Sequence, residues 1–286
     1  TEPLEETPAV FVEEQQASAP QIPFPDLAAS NDKGFSIQGL AALSARMQQF
    51  VDEGDAAGVT GLLVKDGKVV QYDEFGIMRA ETDAPIRADT NHRIYSMTKP
   101  ISGVAMMMLY EDGAFELDDP ITKYIHEFEG LKVLGQPDEN GNPSYLEAER
   151  VATMRDLMAH RAGFGYGFDP TESIAPGYAE AKVLLSPDLP TFVDRLSEQP
   201  LMLQPDKKWI YSVAVDVQGA MIERMTGQSF GSFLSERMFE PLGMVDTAFV
   251  TPNAKLDRLS DPFFKNPETG DLLVYTDDAL GPIHVN

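Results

Sequence analysis

The sequence predicts a two-lobed α+β fold, an antiparallel sheet flanked by helices beside a mostly helical lobe. Three observations predict it. The chain has 286 residues, enough to bury a large core and to divide into two lobes. Near its start, apolar residues at helical spacing are followed directly by two β-rich runs joined at Asp66-Gly67. From about residue 90 to 250, helical patterns dominate and are punctuated by glycine and proline.

Composition narrows the function classes. Hydrophobic residues make up 43%, as in ordinary globular proteins. The charge is unusual: 22 Lys and Arg against 46 Asp and Glu give −24. Such a surface repels phosphate backbones, so no nucleic-acid partner is expected. The absence of cysteine excludes disulfides, thiolate catalysis and cysteine-based zinc sites. His92, His126, His160 and His284 lack zinc-type spacing, so no metal site is read. No apolar run is long enough to span a bilayer, and no signal-peptide pattern is present.

Residues 1–35 carry Pro3, Pro8, Pro20, Pro23 and Pro25 among Glu2, Glu5, Glu6, Glu13 and Glu14, with no steady apolar period. They read as an extended acidic lead. Leads of this kind often follow a cleaved export signal, which favours a periplasmic or secreted address over a cytoplasmic one. Residues 36–89 form the first part of the sheet lobe. Ile37, Leu40, Leu43, Met47, Phe50 and Val51 define an amphipathic helix over 37–53, and residues 59–65 and 68–72 define a hairpin.

The helical lobe spans 90–250. Its first helix, 96–112, is stopped by Gly113. Asp118 and Asp119 are neighbours, which do not face one another across a substrate, so they read as a capped, solvated turn. Residues 135–149, rich in Gly, Pro and Asn, read as a surface loop. Thr153 and Asp156 form a capping box for a helix reaching His160, which is read as a C-terminal residue bonding backbone carbonyls. Gly163, Gly165 and Gly167 alternate with Phe164, Tyr166 and Phe168; no strand precedes them, so they make an aromatic-lined loop and not a phosphate cradle. Thr191 and Asp194 open another helix, ending near Pro200. Residues 213–226 form a helix capped by Gly227, and 229–239 another. Residues 251–286 are turn-rich and return toward the sheet lobe without a closing element. No internal repeat is present.

One stretch carries chemistry: Tyr95-Ser96-Met97-Thr98-Lys99, opening the first helix of the helical lobe. At i and i+3 the Lys99 ammonium lies beside the Ser96 hydroxyl, and the helix N-terminus favours developing negative charge. Two readings fit, a nucleophile with an adjacent base or a capping serine with a solvated lysine. Ser30-Asn31-Asp32-Lys33 has the same spacing but no helix after it, and reads as accidental. Tyr211, just before the 213–226 helix, either points its hydroxyl into a cleft or packs. A Ser-His-Asp triad is not excluded by spacing, though Ser96 lacks the G-x-S-x-G elbow.

Taken together, these segments resemble a family. Ser96-Met97-Thr98-Lys99 resembles the S-x-x-K motif of serine β-lactamases and penicillin-binding proteins. Leu157-Met158-Ala159-His160-Arg161-Ala162-Gly163 resembles the class C segment LLxHTSG. Tyr211-Ser212 followed by Gly219, Ile222, Glu223, Thr226 and Gly227 resembles YSN…G.IIE..TG. Pro241-Leu242-Gly243-Met244-Val245-Asp246-Thr247 resembles PLGM.dT. Y-S-V at 211–213 is most similar to the β-lactamase-like (family VIII) carboxylesterases. The resemblance covers about 37–250.

It implies the β-lactamase/transpeptidase fold, Ser96 as nucleophile, Lys99 and Tyr211 as proton acceptors, a small-molecule ester substrate and no cofactor. Tyr95, Phe164, Tyr166, Phe168 and Trp209 would wall the pocket. Val213 stands where β-lactamases place an asparagine that bonds the β-lactam amide side chain. Modest acyl chains are expected. β-Lactamase, D-aminopeptidase or peptidoglycan D,D-peptidase activity, and a catalytically silent binder, are the alternatives. The family's third motif, with its oxyanion donor, is absent, so the chain is expected to be a truncated form. Oligomeric state is left open.

Overall fold

The protein is described by a computed structural model for residues 34–169 and 171–275. The acidic lead, apart from residues 34 and 35, and the Ser30/Lys33 pair lie outside the described residues.

Helix α1 (Ile37–Asp52) starts where the Ser36 hydroxyl accepts the Gly39 N–H. Strands β1 (Gly58–Lys65) and β2 (Lys68–Arg79) pair antiparallel, with the short β3 (Ala84–Pro85) beside β2. Asp66 and Gly67 both take positive φ, 50° and 70°, the backbone of a type I′ turn that Asp-Gly favours. A bulge shifts the register between Leu63 and Val64, and the adjacent Val69 and Val70 are both buried. The apolar stripe expected on α1 is only partly covered: Ile37 and Leu43 remain exposed. Polar groups occupy part of this contact, with Gln71 donating to Ser44 and Ser44 to Asp73.

A 3-10 turn at Tyr95–Met97 leads into α2 (Thr98–Glu111), which Gly113 ends at φ 75°. Asp119 accepts hydrogen bonds from Glu116 N–H, Lys123 and Tyr124, so the 117–121 segment is the capped turn expected. The 135–149 segment is a correction. It contains β5 (Tyr145–Glu147), which pairs with β4 (Lys132–Leu134) in a small hairpin. Three-residue strands leave too little alternation to be read in sequence.

Helix α3 (Met154–Met158) carries the expected capping box of Thr153 and Asp156. Next come α4 (Ala175–Glu180), unforeseen, and α5 (Leu189–Ser197). The cap of α5 is Asp188, whose carboxylate accepts the Thr191 N–H at 2.7 Å, and not Thr191 as expected. Helix α6 (Ala214–Thr226) ends at Gly227, φ 70°. Helix α7 (Phe230–Leu234) runs into a π turn to Phe239. The last described residues hold β6 (Phe263–Lys265) and β7 (Leu272–Val274), a further hairpin.

The chain divides at Arg93 and Pro252. One unit holds α1, β1–β3, β6 and β7. Asn91 pairs there with the 258–260 segment, N–H to Arg258 C=O at 2.7 Å. The other unit, Ile94–Pro252, is mostly helical. Its core is built from α2, α3 and α6 through fully buried Met106, Leu157, Met221 and Ile222.

Candidate active site

The site lies wholly within the helical unit. Ser96 sits in the 3-10 turn and Lys99 in the first turn of α2, so the pair bridges the junction where one continuous helix was expected. Lys99 Nζ still reaches Ser96 Oγ at 3.1 Å. Tyr95 takes φ 41°, a left-handed backbone that costs a bulky residue energy and turns the chain sharply ahead of Ser96.

Tyr211 comes from the segment before α6. Its Oη lies 2.5 Å from Ser96 Oγ, across 115 residues of sequence. The Lys99 ammonium stands 4.5 Å from the centre of the Tyr211 ring. Burial pushes the Tyr211 phenol up. Hydrogen bonding to Lys99 and Ser96, together with the Lys99 charge, outweighs this and leaves it below its usual value. The arrangement is a hydroxyl held between an ammonium and an acidified phenol, which suits removal of the serine proton.

His160 corrects the expected reading. Its main-chain N–H donates to Leu157 C=O at 3.2 Å, but its ring bonds Ser212 and not the helix carbonyls. It takes φ 54° just past α3, and its Nδ1 accepts the Ser212 N–H at 3.2 Å, with the Ser212 hydroxyl 3.1 Å away. Its ring stacks on Tyr211, centroids 5.5 Å apart and planes at 21°. Main-chain bonds complete the clamp: Ile210 N–H donates to His160 C=O, and Val213 N–H to Gly165 C=O. An Nδ1 that accepts is unprotonated. Burial, then the Lys99 charge, holds the imidazolium pKa below its ordinary value.

A cavity of about 620 Å³ opens beside Ser96. Tyr95, Tyr166 and Phe168 line it. Two other expected wall residues, Phe164 and Trp209, do not, and neither does Val213. Phe164 is buried against Phe128 in the core, following the left-handed turn at Gly163. Val213 is fully buried at the head of α6. Trp209 is exposed and lies tilted beside His160 and Tyr211, outside the cavity wall. The remaining wall includes Leu189, Asp216, Phe230 and Phe249, which sequence reading did not single out. The one available signal was Asp216, one turn beyond Tyr211 at the start of a helix. Among the described residues no group of three or more His, Cys, Asp or Glu side chains is placed to hold a metal ion.

The family model described as Beta-lactamase matches residues 43–271. The chain is 30% identical over 244 residues to an uncharacterized protein of Mycobacterium tuberculosis, covering 84% of this chain and 58% of the relative. It is 31% identical over 226 residues to esterase EstB of Burkholderia gladioli, covering 78% and 54%. The chain thus spans little more than half the length of these curated relatives. Among solved structures, EstCE1, a hydrolase with promiscuous acyltransferase activity, aligns with a TM-score of 0.71 at 24% identity, covering 84% of this chain and 60% of that one. That likeness establishes the fold.

Proposed function

The chain belongs to the Beta-lactamase family and has its mixed α/β fold, and from that premise we propose that it is a serine carboxylesterase working through an acyl-serine intermediate. The observation that carries the reading is the Ser96 hydroxyl, 2.5 Å from Tyr211 Oη and 3.1 Å from Lys99 Nζ. It opens on a cavity whose walls are largely aromatic and aliphatic. The similarity to EstB supports an ester as substrate.

In this reading Tyr211, as phenolate, accepts the Ser96 proton while Ser96 Oγ bonds to the ester carbonyl carbon. Lys99 stays an ammonium and keeps the phenolate stabilised. Collapse of the tetrahedral intermediate breaks the bond to the alcohol oxygen, which leaves with the proton from Tyr211. Water then gives its proton to Tyr211 and attacks the acyl carbon, and Ser96 departs with that proton. Val213, apolar and buried, offers no donor to a β-lactam amide side chain, which favours esters over β-lactams.

The test is labelling with an active-serine phosphonate followed by mass spectrometry. The adduct is expected on Ser96 and absent from Ser96→Ala, whose turnover of a short p-nitrophenyl ester falls by about 10³-fold or more. Faster cleavage of a chromogenic cephalosporin than of that ester would reverse the substrate order.

A further inference from the structure

The cavity beside Ser96 carries a charge pattern that ester hydrolysis alone does not use. Phe168, Leu189, Val215, Phe230 and Phe249 make much of its wall apolar. Three carboxylates, Asp188, Asp216 and Glu223, also line it, and Lys99 is the one cation among the lining residues described. Lys99 is engaged with Ser96. Asp188 accepts the Thr191 N–H at 2.7 Å, and Glu223 accepts the Phe230 N–H at 2.9 Å.

Asp216 differs from both. It stands in the first turn of α6, where an acid suits the helix dipole. Its carboxyl has its own backbone N–H to bond, and among the described residues no other group donates to it. The residue is open to solvent through the cavity yet ringed by protein, and burial pushes its carboxyl pKa up against the pull of that N–H and of Lys99. Gly219, one turn further along the same face of α6, has no Cβ; one would lie 3.0 Å from the Phe230 ring. Beside Asp216 along α6 the wall is therefore closed by the Phe230 and Leu189 side chains, so the carboxylate adjoins apolar surface. A carboxylate so placed gains from a cation entering with the substrate and loses further from an anion.

We propose that the cavity takes the acyl group of the ester, selecting one that bears a cationic nitrogen paired with Asp216 and rejecting one that bears an anion. The acyl group is assigned here because it stays bonded to Ser96 until water arrives, whereas the alcohol must leave. The cavity wall suits the part that stays, and the alcohol departs into the solvent to which Ser96 is exposed. The inference rests on the carboxylesterase reading.

The experiment compares three p-nitrophenyl esters of similar acyl size: 4-(trimethylammonio)butanoate, 5,5-dimethylhexanoate and 4-sulfobutanoate. Ratios of kcat/KM are read at low salt, with spontaneous hydrolysis subtracted. Any effect of a substitution that is common to the three esters, such as a loss of folded protein, cancels in the ratio. The wild type is expected to favour the cationic over the neutral ester, and the neutral over the anionic, by about tenfold or more at each step. Asp216→Asn should bring the cationic-to-neutral ratio to within about threefold of one, and Asp216→Glu should retain the preference. A wild-type ratio near one, or a ratio unmoved by Asp216→Asn, overturns the proposal while leaving the carboxylesterase reading standing. Failure to turn over any of the three esters, the neutral one included, overturns the carboxylesterase reading and this inference with it.

Discussion

At the residue scale, the site depends on one short contact between side chains far apart in sequence. Tyr211→Phe keeps the ring stacked between His160 and Tyr166 but removes the oxygen 2.5 Å from Ser96. We expect kcat on a p-nitrophenyl ester to fall by about 10²- to 10⁴-fold with little change in Tm. If the phenolate is the base, wild-type kcat/KM rises with pH through an inflection below the usual phenol value of about 10; an inflection at or above it would point away from Tyr211. His160 yields a separate test through stability. Its folded pKa is depressed, by burial and then by the Lys99 charge, so the unfolded chain takes up the proton first as pH falls. The stability it contributes is full above about pH 6.5 and is lost as pH drops from there toward the depressed folded value. His160→Asn lacks this titration, so its Tm should vary less than the wild type's between about pH 7 and 5; parallel curves would remove His160 from the clamp. The histidine was legible in the sequence only as a motif position. Its partner Ser212 lies 52 residues away, and nothing local separates a ring that clamps a distant main chain from one that caps its own helix.

At the scale of elements, the turn after α3 decides whether His160 and the 209–213 segment meet. Gly163 takes φ 96°, and a Cβ there would lie 2.2 Å from the Leu203 carbonyl oxygen. The Met202 N–H also donates to its carbonyl at 2.7 Å. Gly163→Ala therefore combines left-handed strain with a collision against main chain, and should cost at least about 2 kcal/mol and reduce esterase activity. Gly227→Ala is the contrast. Its φ is 70° but nothing lies within 4 Å of the added Cβ, so only the strain of about 1 kcal/mol remains and activity should persist. Chemical denaturation of both variants checks the order; equal losses would show that strain alone, and not the collision, sets the cost at Gly163. Elements governed by strong local chemistry were legible. The Asp66-Gly67 turn, the Thr153 capping box and the Gly227 stop all stand where the residues placed them. Elements that depend on distant partners were not. The strand Tyr145–Glu147 exists because it pairs with Lys132–Leu134, and the cavity wall at Phe230 and Phe249 is assembled from segments that sequence shows only as a helix and its exit.

At the scale of the whole molecule, charge is the dominant long-range term. A net charge of −24 over 286 residues sets carboxylates against one another throughout the surface. Attractive pairs oppose this locally. Arg224 bridges Glu127 at 2.7 Å, Arg237 bridges Asp112 at 2.9 Å, and Lys265 pairs with Asp55. Each is at least partly open to solvent, so each adds little to stability, and salt screens it too. Arg150–Asp156, at 2.6 Å with the Asp156 side chain 6% exposed, is shielded from that screening. Raising salt from about 0.01 M to 0.5 M shortens the screening length from about 30 Å to a few ångströms. Unlike the bridges, the excess of carboxylates acts mostly beyond contact distance, so screening removes more repulsion than attraction. Tm at fixed pH should therefore rise with sodium chloride over that range, and the gain should shrink as pH is lowered toward the sequence pI of about 4.4, where the net charge disappears. A Tm that falls with salt at neutral pH would mean that the ion pairs, and not the excess negative charge, govern the electrostatics of the folded chain.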